Sequence, residues 1–180
     1  MTDLTDIHPL AAGLAPPQRP TARFMLSHPA HLVALGFGAG LSPLAPGTAG
    51  TLWAWLAFSV LSIWLSATQI GWLIAVSLPL GWWACTVTAK NMRVPDPGNI
   101  VWDEVIAFWL VLWLVTPAGF GGQLAAFVLF RFFDAAKPGP VAWADQLFKG
   151  FNARGGFGIL FDDLVAAGCT LLVIAAWRFW

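Results

Sequence analysis

Apolar residues in this chain come in long unbroken runs rather than in an alternating or one-in-three pattern. Forty consecutive residues, from Gly50 to Ala89, contain no Asp, Glu, Lys or Arg. A membrane-crossing helix needs about 20 apolar residues, so this stretch predicts two crossings, near 51–66 and 70–89, joined by the uncharged turn 66–69. Pro79 falls in the second, where lipid-embedded helices tolerate it if neighbours satisfy the freed carbonyl. Further runs cover 100–115, 123–136 and 159–177. The first two of these are short, about 22 Å each at 1.5 Å per residue. They are expected to dip in as a helical hairpin or to span with local thinning. The pattern predicts an all-α fold, a polytopic integral membrane helical bundle of about 4–5 membrane helices plus a short re-entrant or interfacial segment. Residues 1–23 read as a mobile polar tail and 24–180 as one membrane-embedded domain. The tail has no apolar core segment, which argues against a cleaved signal peptide.

Composition agrees with lipid as the solvent. Of the 180 residues 58% are hydrophobic and 10% charged, against about 25% charged in soluble domains. That excludes a water-soluble globule and a disordered chain. Nine acids balance nine bases, so no net field attracts a polyanion, and no nucleic acid is expected as partner. Twelve Trp and no Tyr suit a chain lying at membrane–water interfaces. Cys85 and Cys169 sit in apolar runs without metal or redox spacing.

The connections carry the orientation. The 66–69 and 116–122 connections are uncharged, whereas Arg19 and Arg23, Lys90 and Arg93, and Lys137, Lys149 and Arg154 occupy the alternate ones. Five crossings with the amino terminus inside put all these basic residues on the cytoplasmic face; only Arg178 falls outside the scheme. Asp96, Asp103, Glu104, Asp134, Asp145, Asp162 and Asp163 then lie in or beside the same connections, as does the glycine-rich stretch 36–50. Ionisable groups at membrane depth are costly and usually functional.

Asp103-Glu104 opens the third run and Asp162-Asp163 the fifth. Acids at a helix start complement its dipole, but one acid suffices for a cap. Neighbouring helix positions point about 100° apart, so one acid of each pair is free to bind a cation while the other orients it. Two carboxylate pairs without His or Cys suit a hard, oxygen-preferring ion, Mg²⁺ or alternatively Mn²⁺. Arg131, Asp134 and Lys137 recur every three residues and make one helical stripe. They read either as a self-neutralising headgroup face or as a phosphate clamp with a carboxylate between its arms. Gly47, Thr48 and Thr51 lie where a glycine-rich loop meets a helix start, a place where amides and hydroxyls receive an anion. The loop lacks the Gly-Lys-Ser/Thr of nucleotide-binding loops, so no nucleotide is expected. The glycines at 155, 156 and 158 read as a second, weaker anion loop. Cysteine-phosphatase and phospho-aspartate signatures are missing.

Four blocks, GFGAGLSPLAPGTAGT (36–51), NIVWDEVIA (99–107), FRFFDAAKPGP (130–140) and GGFGILFDDLVAAG (155–168), resemble in order and spacing the bacterial phosphatidylglycerophosphatase A family. The resemblance covers roughly residues 30–170. It implies a lipid phosphatase that hydrolyses phosphatidylglycerophosphate, a membrane phospholipid, to phosphatidylglycerol and inorganic phosphate. It implies Mg²⁺ dependence and a multi-pass protein of the bacterial inner membrane with its site on the cytoplasmic side. On this basis Asp103, Glu104, Asp162 and Asp163 are expected as metal ligands. Asp134, Lys137 and Asp103 are expected as catalytic groups, and Arg131, Lys137, Gly47, Thr48 and Thr51 as phosphate binders. Ala107 and Ala167 stand where the family commonly has glycine, which brings close helix approach there into question. The alternative from a different class is a small cation transporter or channel with intramembrane acids. A structural membrane subunit would leave the four blocks unexplained.

Overall fold

The computed structural model describes residues 19–150 and 152–178. Among them are eight α-helices and no strand. Two short helices, α1 (Ala22–Leu26) and α2 (Pro29–Ala34), lead through a tight turn at Gly36–Leu41 into α3 (Pro46–Trp64) and α4 (Ala67–Met92). Then come α5 (Trp102–Val115), α6 (Phe120–Ala136), the short α7 (Pro140–Leu147) and α8 (Ala153–Arg178). Most of the expected polar tail, residues 1–18, lies outside the described part. Its last residues do not belong to a tail, because Thr21 caps α1 through a hydrogen bond from the Phe24 amide.

All five expected apolar runs are helices. Three of them, α3, α4 and α8, are long and apolar enough to cross a membrane. The turn predicted at 66–69 is a capping box: Ser66 accepts from the Gln69 amide while the Gln69 side chain accepts from the Ser66 amide. This arrangement satisfies donors that lipid could not. α4 continues through Pro79. Leu56, Ile63 and Trp64 on α3, Trp72 and Val76 on α4, and Leu172 and Trp177 on α8 point outward and are exposed, forming an apolar exterior that suits lipid.

The short run 100–115 forms the central helix of the bundle. α5 buries ten of its fourteen residues and packs on α3, α4, α6 and α8. A helix that is apolar all round belongs at the centre of a bundle, where it needs less length because its neighbours shield it. Trp109 Nε1 donates to the Ala54 carbonyl over 2.9 Å, and Phe108 stacks on Phe130, tying α5 to α3 and α6. Ala107 and Ala167 are fully buried in this core, so the helices accommodate both methyl groups.

The glycine-rich stretch sets where α5 begins. Gly38 takes φ 113, which only glycine adopts freely. The Asn99 side-chain Nδ2 donates to the Gly40 carbonyl at 2.7 Å and the Val101 backbone N–H to the Ala34 carbonyl at 2.9 Å. On α3, a Cβ at Gly50 would lie 2.6 Å from Val101 Cβ. The start of α5 is therefore wedged against α3 at a glycine.

Gly50→Val should lower stability by about 1–3 kcal/mol through overpacking, whereas Gly121→Ala, with open space around it, should not. Thermal unfolding in detergent checks the pair; equal stabilities would mean that α3 and α5 do not pack this closely.

Candidate active site

Four helices bring polar groups to one end of the bundle: the starts of α3 and α5, the end of α6, and α8 near Asp163. One carboxylate oxygen from each of Asp103, Glu104 and Asp163 lies within 4.8 Å of the other two. Glu104 and Asp163 are buried, and Asp103 is half-buried with its Oδ1 enclosed. Among the described residues, Asp103 Oδ1 and Glu104 Oε2 find no hydrogen-bond partner. Asp134 faces both Glu104 and Asp163. Arg131, one turn earlier on α6, bonds Asp134 Oδ2, and its Nη1 lies 3.7 Å from Glu104 Oε1.

Four carboxylates thus gather here, and among the described residues Arg131 pairs with two of them, Glu104 and Asp134. Taking an ion out of water costs several kcal/mol unless it is paired, and one Arg cannot pair four. Unpartnered, buried, all-oxygen donors are what a hard divalent cation needs. The cluster of Asp103, Glu104 and Asp163 can therefore hold a metal ion.

Gly47 closes the group from α3. A Cβ there would collide with Glu104 Oε1 and come within 3.3 Å of both terminal nitrogens of Arg131. No side chain caps this helix, whose N-cap Ala45 has φ 45, so first-turn amides stand beside the Arg131–Glu104 pair. Thr48 is half-buried in that turn. Thr51 has a different task from the one expected. Its hydroxyl donates to the Gly47 carbonyl at 2.9 Å and accepts from Arg131 Nη1 at 3.4 Å. A hydroxyl has one proton, so Thr51 holds Arg131 rather than donating to an anion.

The structure divides the Asp162-Asp163 pair between two groups, as their 100° offset allows. Asp163 joins the carboxylate cluster. Asp162 Oδ2 instead lies 2.6 Å from Lys137 Nζ. Lys137 has left the Arg131–Asp134 stripe because α6 ends before it. It is the left-handed C-cap of α6, with φ 44, and its ammonium reaches across to Asp145 of α7 and Asp162 of α8. Lys149 continues this chain of charges, 3.1 Å from Asp145 and 3.6 Å from Asp96. Partial burial works against the Lys137 charge, but the two carboxylates outweigh it and hold its pKa above the ordinary lysine value. Asp145 shows the reverse balance: burial raises its pKa, and the hydrogen bonds from Lys137 and Lys149 bring it below the usual carboxylate range.

Asp145 was not legible as a site residue. The eight positions separating it from Lys137 span two prolines and a helix start, so no periodicity links them. The glycines at 155, 156 and 158 are not an anion loop. They lie inside α8, where a Cβ at Gly156 would come 2.8 Å from Thr86 Cβ and one at Gly158 2.9 Å from Phe148 Cβ. They let α8 approach α4 and the segment after α7. Trp82 Nε1 adds a bond to the Ala153 carbonyl at 2.5 Å, fixing the helix that presents both Asp162 and Asp163.

Comparison with known proteins places this geometry in a lineage. The family model described as phosphatidylglycerophosphatase A matches residues 32–178. A phosphatidylglycerophosphatase A of Escherichia coli strain K12 is 39% identical over 150 residues, covering 81% of each chain. One of Haemophilus influenzae is 38% identical over 162 residues, covering 89% of this chain and 96% of the relative. A Bacteroides thetaiotaomicron protein provisionally named a phosphatidylinositol-3-phosphatase is 36% identical over 154 residues, covering 82% of this chain and 92% of the relative. No solved structure matches the chain. With its four blocks converging on one charged site and its match extending from the second helix to the last, the chain belongs to the phosphatidylglycerophosphatase A family.

Proposed function

We propose that the chain is a metal-dependent phosphatidylglycerophosphatase of the bacterial inner membrane, acting at the cytoplasmic face. The observation that carries the reading is the group of three converging carboxylates, Asp103, Glu104 and Asp163, set beside Arg131 at one end of a lipid-embedded bundle. The relatives' names supply the substrate. The face follows from the basic connections, which alternate with uncharged ones. A transporter is disfavoured because the charged groups gather at one end of the bundle, whereas a conduit needs them near mid-bilayer on several spans.

In the reaction a water oxygen attacks phosphorus, the bond from phosphorus to the glycerol oxygen breaks, and the alcohol leaves with a proton. Uncatalysed monoester hydrolysis is among the slowest of reactions, so charge neutralisation and positioning carry the catalysis. Asp103, Glu104 and Asp163 would hold Mg²⁺, or alternatively Mn²⁺. Such an ion, when bound, neutralises phosphate oxygens and makes a water more acidic. Arg131, steadied by Asp134 and Thr51, presents its remaining N–H groups to the phosphate. The first-turn amides of α3 at Gly47 and Thr48 receive a second oxygen. Asp134 orients the attacking water or takes its proton. Lys137, held by Asp145 and Asp162, places a positive charge at the rim of the site and acts there on the developing negative charge.

Phosphate release from phosphatidylglycerophosphate by the purified protein should cease with complete chelation and return with Mg²⁺. Asp103→Asn, Glu104→Gln and Asp163→Asn should each lower kcat at least about 100-fold, the scale on which electrostatic stabilisers act. Near-normal turnover in all three would reduce these acids to helix caps. A parallel assay with phosphatidylinositol 3-phosphate decides the headgroup, and cation flux in liposomes without phosphate release would favour the transporter.

Lys137 offers a separation of fold from chemistry. A non-glycine residue in the left-handed region costs about 1–2 kcal/mol, so Lys137→Gly should be at least as stable as Lys137→Ala. Both should lose about tenfold or more in kcat, within the range for charge stabilisation. Recovery of activity in the glycine variant alone would make Lys137 a purely structural cap.

The lowered pKa of Asp145 also has a sign. The stability it contributes is fully present above the unfolded carboxylate pKa of about 3.9 and is lost as pH falls through the lower folded value. Asp145→Asn should flatten the loss of thermal stability on acidification below about pH 4, as read from melting curves across that range. An unchanged slope would show that the Lys137–Asp145 pair contributes no pH-dependent stability.

A further inference from the structure

The carboxylate and arginine cluster accounts for a phosphate, yet the proposed substrate is a lipid, whose acyl chains need a surface beside that cluster. α3 and α6 both pack on α5 but scarcely on each other. They meet at two places: Arg131 reaches Thr51, and Trp55 Nε1 donates to Gln123 Oε1 at 2.6 Å while its ring stacks on Phe127. Around the second of these points lies an open groove of about 420 Å³, lined by Leu52, Trp55, Leu56, Ser59, Phe120 and Gln123. That volume lies within the roughly 300–1,000 Å³ of small-molecule sites. Leu52, Leu56 and Phe120 are exposed along it, and Trp55, stacked between Phe120 and Phe127, forms its floor.

On α3 the groove begins at Leu52, the residue after Thr51, whose hydroxyl accepts from Arg131, and α3 carries it to Ser59, a rise of about 12 Å from Thr51; on α6 it is lined at Phe120 and Gln123, farther from the charged end. A lipid whose phosphate meets Arg131 would enter this crevice with the first methylenes of its tail. Two further apolar grooves border α6 and α8, one of about 380 Å³ with Val115, Gly122, Ile174 and Trp177 and one of about 470 Å³ reaching Val128 and Leu129; neither is lined by α3, whose first turns border the phosphate site.

Resting on the phosphatase reading above, we infer that the α3–α6 crevice is the acyl-chain subsite, receiving one fatty-acyl chain of the substrate phospholipid while its phosphate lies against Arg131. The subsite selects for a membrane lipid over a free phosphate monoester and delivers the headgroup sideways from the leaflet.

The test uses the full chain in detergent micelles and compares kcat/KM on dioleoyl phosphatidylglycerophosphate with that on the acyl-free glycerophosphoglycerol phosphate. Leu56→Trp and Ser59→Trp fill the crevice and should lower the ratio of the two values at least tenfold. Val60→Trp, on the same helix but not lining the groove, should leave the ratio unchanged. Crosslinking of the unsubstituted protein by phosphatidylglycerophosphate carrying a diazirine in its acyl chain supplies a readout that does not depend on how the variants fold. Labels should fall on peptides covering 52–59 and 120–123 and disappear with excess unlabelled lipid.

An unchanged ratio in both filling variants, with labels spread over the outer helix faces and indifferent to competitor, would assign the groove to bulk lipid and overturn the inference. So would crosslinks joining two copies of the chain across this face. Competed labelling in the groove by a protein that releases no phosphate would sustain the subsite and remove the phosphatase reading instead.

Discussion

The structure depends on one constraint: negative charge is buried at the edge of a lipid-embedded bundle and must be compensated there. Asp103, Glu104, Asp134 and Asp163 converge with Arg131 as the one cation bonded among them. Water is too remote to screen them fully, so each helix that contributes an acid is tied to the others by what balances it. Gly47 is bare so that Glu104 and Arg131 can approach α3, and Gly50 is bare so that Val101 can. Thr51 spends its proton on the α3 backbone and its lone pairs on Arg131. The small residues and the charged residues are two sides of the same requirement. Close backbone approach brings the charges together, and the charge deficit leaves room for a cation.

The fold was largely legible, because in lipid the rules are few. Every backbone group must be satisfied within the segment, so unbroken apolar runs are helices. The uncharged Ser66–Gln69 link had to be a cap, and the basic connections fell on alternate turns. What the sequence could not convey was the role of α5. Its shortness suggested a dip or a crossing with local thinning, and length reports the reach of a helix, not its neighbours. Only packing shows that α3, α4, α6 and α8 surround it.

The site was legible in its residue types and less so in their partners. Asp103-Glu104 and Asp162-Asp163 looked alike as adjacent acid pairs. Both acids of the first pair reach the carboxylate cluster, whereas the second is split, with Asp162 turned to Lys137. Helical spacing also grouped Lys137 with Arg131 and Asp134. The helix stops one residue short of it, and a left-handed residue followed by Pro138 and a positive-φ Gly139 sends the chain into α7. That reversal is what lets Asp145 reach Lys137. The glycines of 155–158 misled for a related reason, since glycine serves anion contact and helix contact equally well and only its neighbours distinguish the two.

The charges lie at one end of the bundle, beside a sparse contact between α3 and α6. α5 is gripped on all sides, so Asp103 and Glu104 sit on its most rigid element. α6 meets α3 mainly through Arg131, Trp55 and Gln123 and packs more widely on α5 and α8, so on the proposed reading the guanidinium would lie between the phosphate and the crevice. A lipid entering from the leaflet would then meet the carboxylates of α5 on one side and Arg131, held by Asp134 and Thr51, on the other, both carried on helices fixed by their packing against the rest of the bundle.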